Sequence, residues 1–226
     1  MLDNYVIAYI DLLGVKNKIS DDTFFENVHN LYQNTLDILQ QLRLQQENIE
    51  WRIFSDNIVI ARTVTEDINN QASNLNQIIA IAAIIQNLAI AQVGCLVRGG
   101  ITINKFHLDE IMVWGAGLVE AYKLEGNHTE PTIVLSEKAM KIVNSNTDFS
   151  FLISRNTVGQ QFVDYLSINN EGNYFINLHK NQIPKLKAEV SKENNDYQRT
   201  MSKYSWAIWY HNNICRKKGL WDLLIE

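Results

Sequence analysis

Two aspartates carry the strongest chemical signal in this chain. Asp11 ends the apolar run Tyr5-Val6-Ile7-Ala8-Tyr9-Ile10 and precedes Leu12-Leu13-Gly14. Asp56 lies in Trp51-Arg52-Ile53-Phe54-Ser55-Asp56-Asn57-Ile58-Val59-Ile60-Ala61, two apolar half-strands around a polar knuckle. One reading of the knuckle is structural: Ser, Asp and Asn bond local backbone, so they suit the tip of a hairpin. The other is chemical. Two strands that each end in an Asp, laid side by side, bring two carboxylates together. Those carboxylates repel unless a cation neutralises them. Mg²⁺ or Mn²⁺, hard ions that seek oxygen, suit such a pair. A third feature is Arg98-Gly99-Gly100, inside the apolar stretch Leu96 to Asn104. Paired glycines in a strand mark a packing kink, or close approach by a ligand or a second chain. His29, His107, His128, His179 and His211 show no zinc-ligand spacing, and no Ser-His-Asp arrangement can be argued.

The elements that position these residues follow from hydrophobic periodicity. Val6 to Leu13 predicts an apolar, central strand. Ser20-Asp21-Asp22 offers N-caps for a helix from Thr23 to about Gln46. Phe24, Val28, Leu31, Thr35, Ile38, Leu39 and Leu42 form its apolar face. After the hairpin, a helix is expected from about Glu66 to Val93, apolar enough for burial on more than one side. The strand with Arg98 follows, then a loop from Lys105 to Met112, and Trp114-Gly115-Ala116-Gly117 opens a helix through Glu125. Ile133 to Leu135 predicts a short strand and Ser136 caps a helix from Glu137 to Val143. Phe151 to Ser154 and Phe162 to Ile168 read as strands, and the region from Pro184 to Glu226 as mainly helical. The order strand, helix, hairpin, helix, strand predicts an α+β fold with a ferredoxin-like βαββαβ core, additional strands and C-terminal helices. Its first strand is central, and the first hairpin strand is expected beside it.

Composition bounds the function. The chain has 226 residues, 46% of them hydrophobic and 20% charged, which suits one domain with an extension. We expect a core over about 5–145 and an extension over about 146–226. A net charge of -5 argues against a broad nucleic-acid-binding face. Cys95 and Cys215 read as buried thiols of a reducing compartment, not as a disulfide framework. Asp3 and Asn4 replace the basic start of a signal peptide. The apolar run from Ile78 to Val93 is interrupted by Gln86, Asn87 and Gln92, which reads as too short and too polar for a membrane span. A cytoplasmic location is expected.

The chain resembles the class III nucleotidyl cyclases. Their metal-binding aspartates end the first strand and sit at the hairpin turn. Their next strand carries R-x-G-I, and a W/Y-G segment leads into a helix ending in L-E. Here these are Asp11, Asp56, Arg98-Gly99-Gly100-Ile101, Trp114-Gly115 and Leu124-Glu125. The spelling is similar to one branch, the bacterial pyrimidine nucleotide cyclases of the Pycsar antiphage systems. The matching pieces are Tyr9-Ile10-Asp11-Leu12-Leu13-Gly14, Phe54-Ser55-Asp56-Asn57, Ala121-Tyr122-Lys123-Leu124-Glu125, Asp164-Tyr165-Leu166-Ser167, and Lys203-Tyr204-Ser205-Trp206 to Tyr210-His211-Asn212.

The resemblance implies a uridylate cyclase that converts UTP to 3′,5′-cyclic UMP and pyrophosphate as a second messenger. The alternatives are a cytidylate cyclase acting on CTP and a non-catalytic nucleotide-binding domain. It implies two Mn²⁺ or Mg²⁺ ions held by Asp11, Asp56 and the Leu12 carbonyl. Asp11, Asp56, Arg98 and Lys123 are the implied catalytic positions; Leu13, Gly14, Arg52 and Tyr122 are the implied nucleotide-binding ones. The first helix start, with Lys16 and Lys18 nearby, would cradle the outer phosphates. Arg52, four residues before Asp56, stands where the superfamily faces the base. A donor-only side chain there suits the uracil 4-carbonyl. An exposed hairpin Arg is the other reading. Purine cyclases of this class carry an Asn and an Arg where this chain has Val119 and Lys123, so the transition-state cation is unassigned. The resemblance further implies a homodimer with sites between subunits, and a separate effector protein that reads the product.

Overall fold

The structure, a computed structural model, describes residues 2–15, 18, 20–41, 49–145, 152–156, 159–168, 171–192 and 196–226. Its strands are β1 (Asp3–Leu12), β2 (Glu50–Phe54), β3 (Asn57–Thr63), β4 (Val97–Leu108), β5 (Val113–Trp114), β6 (Ile133–Leu135), β7 (Ile153–Arg155) and β8 (Gln161–Val163). Its helices are α1 (Asp22–Gln41), α2 (Ile68–Leu88), α3 (Ala116–Gly126), α4 (Glu137–Ser145), α5 (Tyr174–Ala188) and α6 (Tyr197–Lys218). The sheet order is β2-β3-β1-β4-β6-β8-β7, with β5 paired to β4.

This is the expected α+β arrangement, but the hairpin is placed differently. The second hairpin strand, β3, pairs antiparallel with β1, and β2 lies at the edge. Burial explains the choice. Ile58, Val59, Ile60 and Ala61 are apolar on both faces and fully buried, as a central strand requires, whereas Ile53 and Phe54 of β2 are exposed. Alternation along β1 divides the two cores. Val6, Ala8, Ile10 and Leu12 join the large core beneath α1, α2, α4, α5 and α6. Tyr5, Ile7 and Tyr9 join a smaller core beneath α3. Asp11 therefore belongs to the α3 face.

Side chains fix the helix starts. Asp21 accepts from the Phe24 amide (3.1 Å), Asp67 from Asn69 and Asn70, and Ser136 from Ala139 (3.2 Å). Helix α2 continues as a π-helical turn through Val93 and ends on left-handed Gly94. The stretch Ile68–Val93 is long and apolar enough to cross a membrane, contrary to the sequence reading, which began ten residues later. It is instead buried among the sheet and its neighbouring helices.

Four further boundaries differ. β4 continues through Leu108 because its far end finds a partner in β5, so the expected loop shrinks to residues 109–112. β8 stops at Val163, and β7 runs Ile153–Arg155; Phe151 lies outside the described residues. Helix α5 begins at Tyr174, not at Pro184, which it carries internally. The end of α1 beyond Gln41 lies outside the described residues.

Candidate active site

Strand pairing brings the two aspartates together. Asp11 is the register partner of Asn57, and the Leu12 amide donates to the Asp56 carbonyl (2.9 Å). The hairpin loop is only Ser55 and Asp56, with Ser55 in the left-handed region at φ 57°. A non-glycine residue there is strained, and the flanking β2–β3 pairing is what holds the turn. A chain of hydrogen bonds then aims Asp56. The Tyr9 hydroxyl donates to Asn57 Oδ1, and Asn57 Nδ2 donates to Asp56 Oδ1 (2.9 Å). Burial, together with the Asp11 and Glu125 charges, pushes the Tyr9 hydroxyl well above its ordinary value, so it stays a donor.

Arg98 occupies the middle of this pole. Its Nε donates to Asp11 Oδ2 (3.3 Å) and ion-pairs with Glu125 Oε1 without hydrogen-bond geometry. Burial raises the pKa of Asp11; Asp56 adds to the rise and Arg98 opposes it. Glu125, 5% exposed, is likewise raised by burial, with Arg98 opposing and Asp11 adding. Asp11 and Glu125 thus both pair with the Arg98 guanidinium. Sequence reasoning missed Glu125, which appeared only as the end of a motif.

The paired glycines explain how Glu125 gets there. A Cβ at Gly100 would stand 2.4 Å from the Ala121 carbonyl oxygen and 2.6 Å from Leu124 Cβ; one at Gly99 would stand 2.3 Å from the Tyr9 oxygen. The glycines let α3 and β1 approach β4 closely. The near neighbours are this chain's own elements rather than a ligand.

The remaining sequence-derived positions are dispersed. Gly14 turns the chain after β1 at φ 86°, and the Leu13 amide bonds the Leu96 carbonyl (2.8 Å). Lys18 Nζ sits 5.5 Å from the Phe24 ring centroid, at the start of α1; Lys16 lies outside the described residues. Tyr122 is exposed and meets the Tyr9 ring edge-on at 5.5 Å. Arg52 donates to the Asp109 carbonyl from Nε (3.1 Å) and Nη2 (2.5 Å), and to the Trp51 carbonyl from Nη1 (2.6 Å). It ties the hairpin to the β4–β5 turn. That turn is ordered by the Asp109 carboxylate, lowered to about 2 by the Met112 and Ile111 amides and by His107. Lys123 lines a cavity of about 520 Å³ with Asn104, Val119 and Glu120. The structure does not bring it to Asp11 or Asp56 within this chain.

The late motifs meet each other. Tyr210 donates to Asp164 Oδ1 (2.5 Å) and accepts from the Leu166 amide (3.0 Å). Tyr165 bonds His179 Nε2 (3.0 Å), and His179 stacks on His211. The D-Y-L-S and Y-H-N motifs are thus two sides of one buried joint that docks α6.

The pole fits divalent ions of the kind expected. It offers only oxygen donors, and Asp11 carries unfavourable charge from Asp56. Among the described residues no cluster of three or more His, Cys, Asp or Glu could hold a metal. Two carboxylates and a carbonyl match ions that take their other ligands from water and phosphate oxygens rather than from a protein cage.

No protein-family model matches this chain, and no curated protein matches it. Solved structures do. The monomeric guanylyl cyclase domain of the RhoGC fusion protein from the aquatic fungus Blastocladiella emersonii superposes with a TM-score of 0.54 at 11% identity, over 72% of this chain and 95% of that one. The catalytic core of a rhodopsin-guanylyl cyclase with converted specificity, in complex with ATPαS, gives 0.50 at 10% identity, over 72% and 96%. The fold is that of a nucleotide cyclase domain. The likeness is one of fold, and both matched proteins are named for purine nucleotides. On this cyclase-type sheet, Asp11 and Asp56 occupy adjacent strand ends.

Proposed function

We propose that this chain is a nucleotide cyclase that converts UTP to 3′,5′-cyclic UMP and pyrophosphate. The observation that carries the reading is the Asp11–Asp56 pole, built by β1 and β3 on a cyclase-type sheet. The ribose 3′-oxygen forms a bond to the α-phosphorus, the bond from that phosphorus to the β-phosphate bridging oxygen breaks, and the 3′-OH proton leaves to water. Asp11, Asp56 and the Leu12 carbonyl would hold Mn²⁺ or Mg²⁺ ions, which would lower the pKa of the 3′-OH and neutralise phosphate charge.

The chain's own residues do the rest. Tyr9 and Asn57 hold Asp56 in one orientation. Arg98, kept at the pole by Glu125, supplies positive charge beside the reacting phosphorus. The Leu13–Gly14 turn leads the backbone toward α1, where the outer phosphates would lie. A second copy would bring Lys123, exposed on α3, to the site, whereas Tyr122 already meets Tyr9 beside the pole in its own chain. The cyclic nucleotide would be read by a separate effector protein, in the antiphage setting that the sequence resemblance implies.

UTP is favoured over CTP by Arg52, whose donors match the uracil 4-carbonyl. In the free protein those donors are satisfied by Asp109 and Trp51. Reading a base therefore means exchanging the Asp109 carbonyl for that of uracil. The Arg98–Asp11 ion pair favours one other reading, a nucleotide-binding domain that does not turn over. Incubating pure protein with Mn²⁺ and each of ATP, GTP, CTP and UTP, with product detection by mass spectrometry, separates them. Cyclic UMP as the main product supports the proposal, and Arg52→Ala should erode the preference over CTP. Cyclic CMP as the main product overturns the UTP choice. Nucleotide binding without any cyclic product overturns the activity.

A further inference from the structure

Helix α1 and the hairpin tip enclose a cavity of about 410 Å³ on the α1 face of the sheet. Alternation along the strands separates it from the pole. On β1, Leu12 lines the cavity, whereas Asp11 belongs to the α3 face with Arg98. On β2, Ile53 lines it, whereas Arg52 is tied to the Asp109 carbonyl of the β4–β5 turn. Asp56, at the turn, is common to both: it is half of the pole and also a wall of this cavity.

The cavity has a floor and a mouth. Leu12, Val15, Phe24 and Tyr32 form the floor, each at most 8% exposed. Phe25 and Ile53 stand at the mouth, 65% and 44% exposed. The volume is that of a small-molecule site. Phe24, Phe25, His29 and Tyr32 lie on one side of α1, with the Phe25 and His29 rings 6.3 Å apart. Walls of rings favour a flat aromatic occupant, through offset and edge-on contacts. Charge narrows the class further. Among the described residues that line the cavity there is no lysine or arginine, and Asp56 is their one acid. Lys18, on the Phe24 ring, is not among them. A triphosphate or any other anion is therefore opposed there. The Tyr32 hydroxyl is shut off from solvent, so the polar groups within reach of an occupant lie toward the mouth and the hairpin tip. Asp56 Oδ1 accepts from Asn57, and its Oδ2 has no hydrogen-bond partner among the described residues. A carboxylate only accepts, so the ligand must bring a donor.

We propose that this cavity binds a small, uncharged aromatic heterocycle whose ring N–H donates to Asp56, and that the occupant opposes a divalent ion at the same carboxylate. The binding itself stands apart from the cyclase reading. The opposition rests on that reading, because it takes Asp56 as a metal ligand. Hydrogen bond and ion draw on one carboxylate, so each weakens the other by the same factor. The site would make the pole sensitive to a small molecule that is neither substrate nor product.

Indole, titrated calorimetrically into the full chain without metal, is the probe. The wild type should bind it with a Kd of about 1 mM or tighter, as a well-seated fragment does. Benzofuran has the same shape with an oxygen in place of the N–H, and should bind about tenfold more weakly, as loss of a hydrogen bond to a charged group does. Phe25→Ala, at an exposed position where folding is little affected, should weaken indole binding about fivefold through the lost ring contact. Val28→Trp, which fills the cavity, should abolish it. Saturating Mn²⁺ should weaken indole binding several-fold. A wild type that does not bind indole overturns the proposal; if that protein is also a dimer that Phe25→Ala dissociates, the cavity belongs to a second copy. Indole affinity unchanged in folded Phe25→Ala and Val28→Trp overturns the location. Benzofuran bound as tightly as indole overturns the Asp56 contact. Mn²⁺ that raises Tm but leaves indole affinity unchanged overturns the opposition. Mn²⁺ that does neither, while indole still binds in the cavity, would refute the metal reading of Asp56 and leave the ligand site standing.

Discussion

Gly100→Ala tests the packing that assembles the pole. Gly100 pairs with Tyr9 of β1 and Val134 of β6, and α3 lies directly over it. The added methyl group would stand 2.4 Å from the Ala121 carbonyl oxygen, against about 3.4 Å for ordinary contact. A backbone oxygen cannot rotate away, so α3 must retreat by about 1 Å. Overpacking of this kind costs about 1–3 kcal/mol of stability. The retreat also carries Glu125 from Arg98 and Tyr122 from Tyr9. A displacement of about 1 Å at a reacting centre costs about a hundredfold in rate. Urea denaturation gives the first quantity and steady-state cyclase kinetics the second. Gly126→Ala is the control. It lies at the end of the same helix with nothing within 4 Å of the new atom. A gain of up to about 1 kcal/mol is expected there from helix propensity. Gly100→Ala with stability within about 0.5 kcal/mol of wild type and full activity would refute the close-approach argument.

Three other outcomes follow from the geometry. Mn²⁺ at about a hundred times its dissociation constant should stabilise the fold by about 2.7 kcal/mol, read as a rise in Tm, and Asp11→Asn should abolish the rise. Tyr9→Phe removes the donor that orients Asn57, so kcat should fall while urea stability drops by about 0.5–1.5 kcal/mol. Acidification should destabilise the joint beneath α6. Burial keeps His179 neutral in the folded chain, with its pKa well below the ordinary histidine value, and His211 is lowered too. The unfolded chain therefore binds more protons as pH falls below about 6.5, and stability is lost at up to about 1.4 kcal/mol per pH unit for each histidine. Asp11, Glu125 and Asp164 are raised, which works in the opposite direction, so the test is the difference between wild type and His179→Gln in urea titrations from pH 7 to pH 5.

Much of the architecture was legible because it rests on period and capping. The apolar run of β1, the Asp21 and Ser136 caps and the alternation of the hairpin are local signals. The neighbour of β1 was not local. Either hairpin strand satisfies the alternation, and only the two-sided apolarity of Ile58 to Ala61 selects β3. Pro184 misled because proline usually opens a helix; here buried Ile176, His179 and Ile183 anchor α5 ahead of it, from Tyr174 onward. At the site, Asp11 and Asp56 were visible as paired strand-end carboxylates. Glu125 was not, because an acid at a helix end reads as solvated charge. What brings it in is tertiary: the close approach of α3 to β4 over Gly100. Gln161 and Thr102 each keep a buried oxygen without a partner among the described residues, for which we have no physical account.

The most direct test of the central claim is pyrophosphate and cyclic nucleotide formation from UTP and Mn²⁺ by the wild type and by Asp56→Asn. The substitution keeps the shape of the turn and removes one charge from the pole. Equimolar pyrophosphate and cyclic UMP from the wild type, with loss of both by at least a hundredfold in a folded Asp56→Asn, is the predicted result. Undiminished product from Asp56→Asn, or none from either protein, would contradict the account.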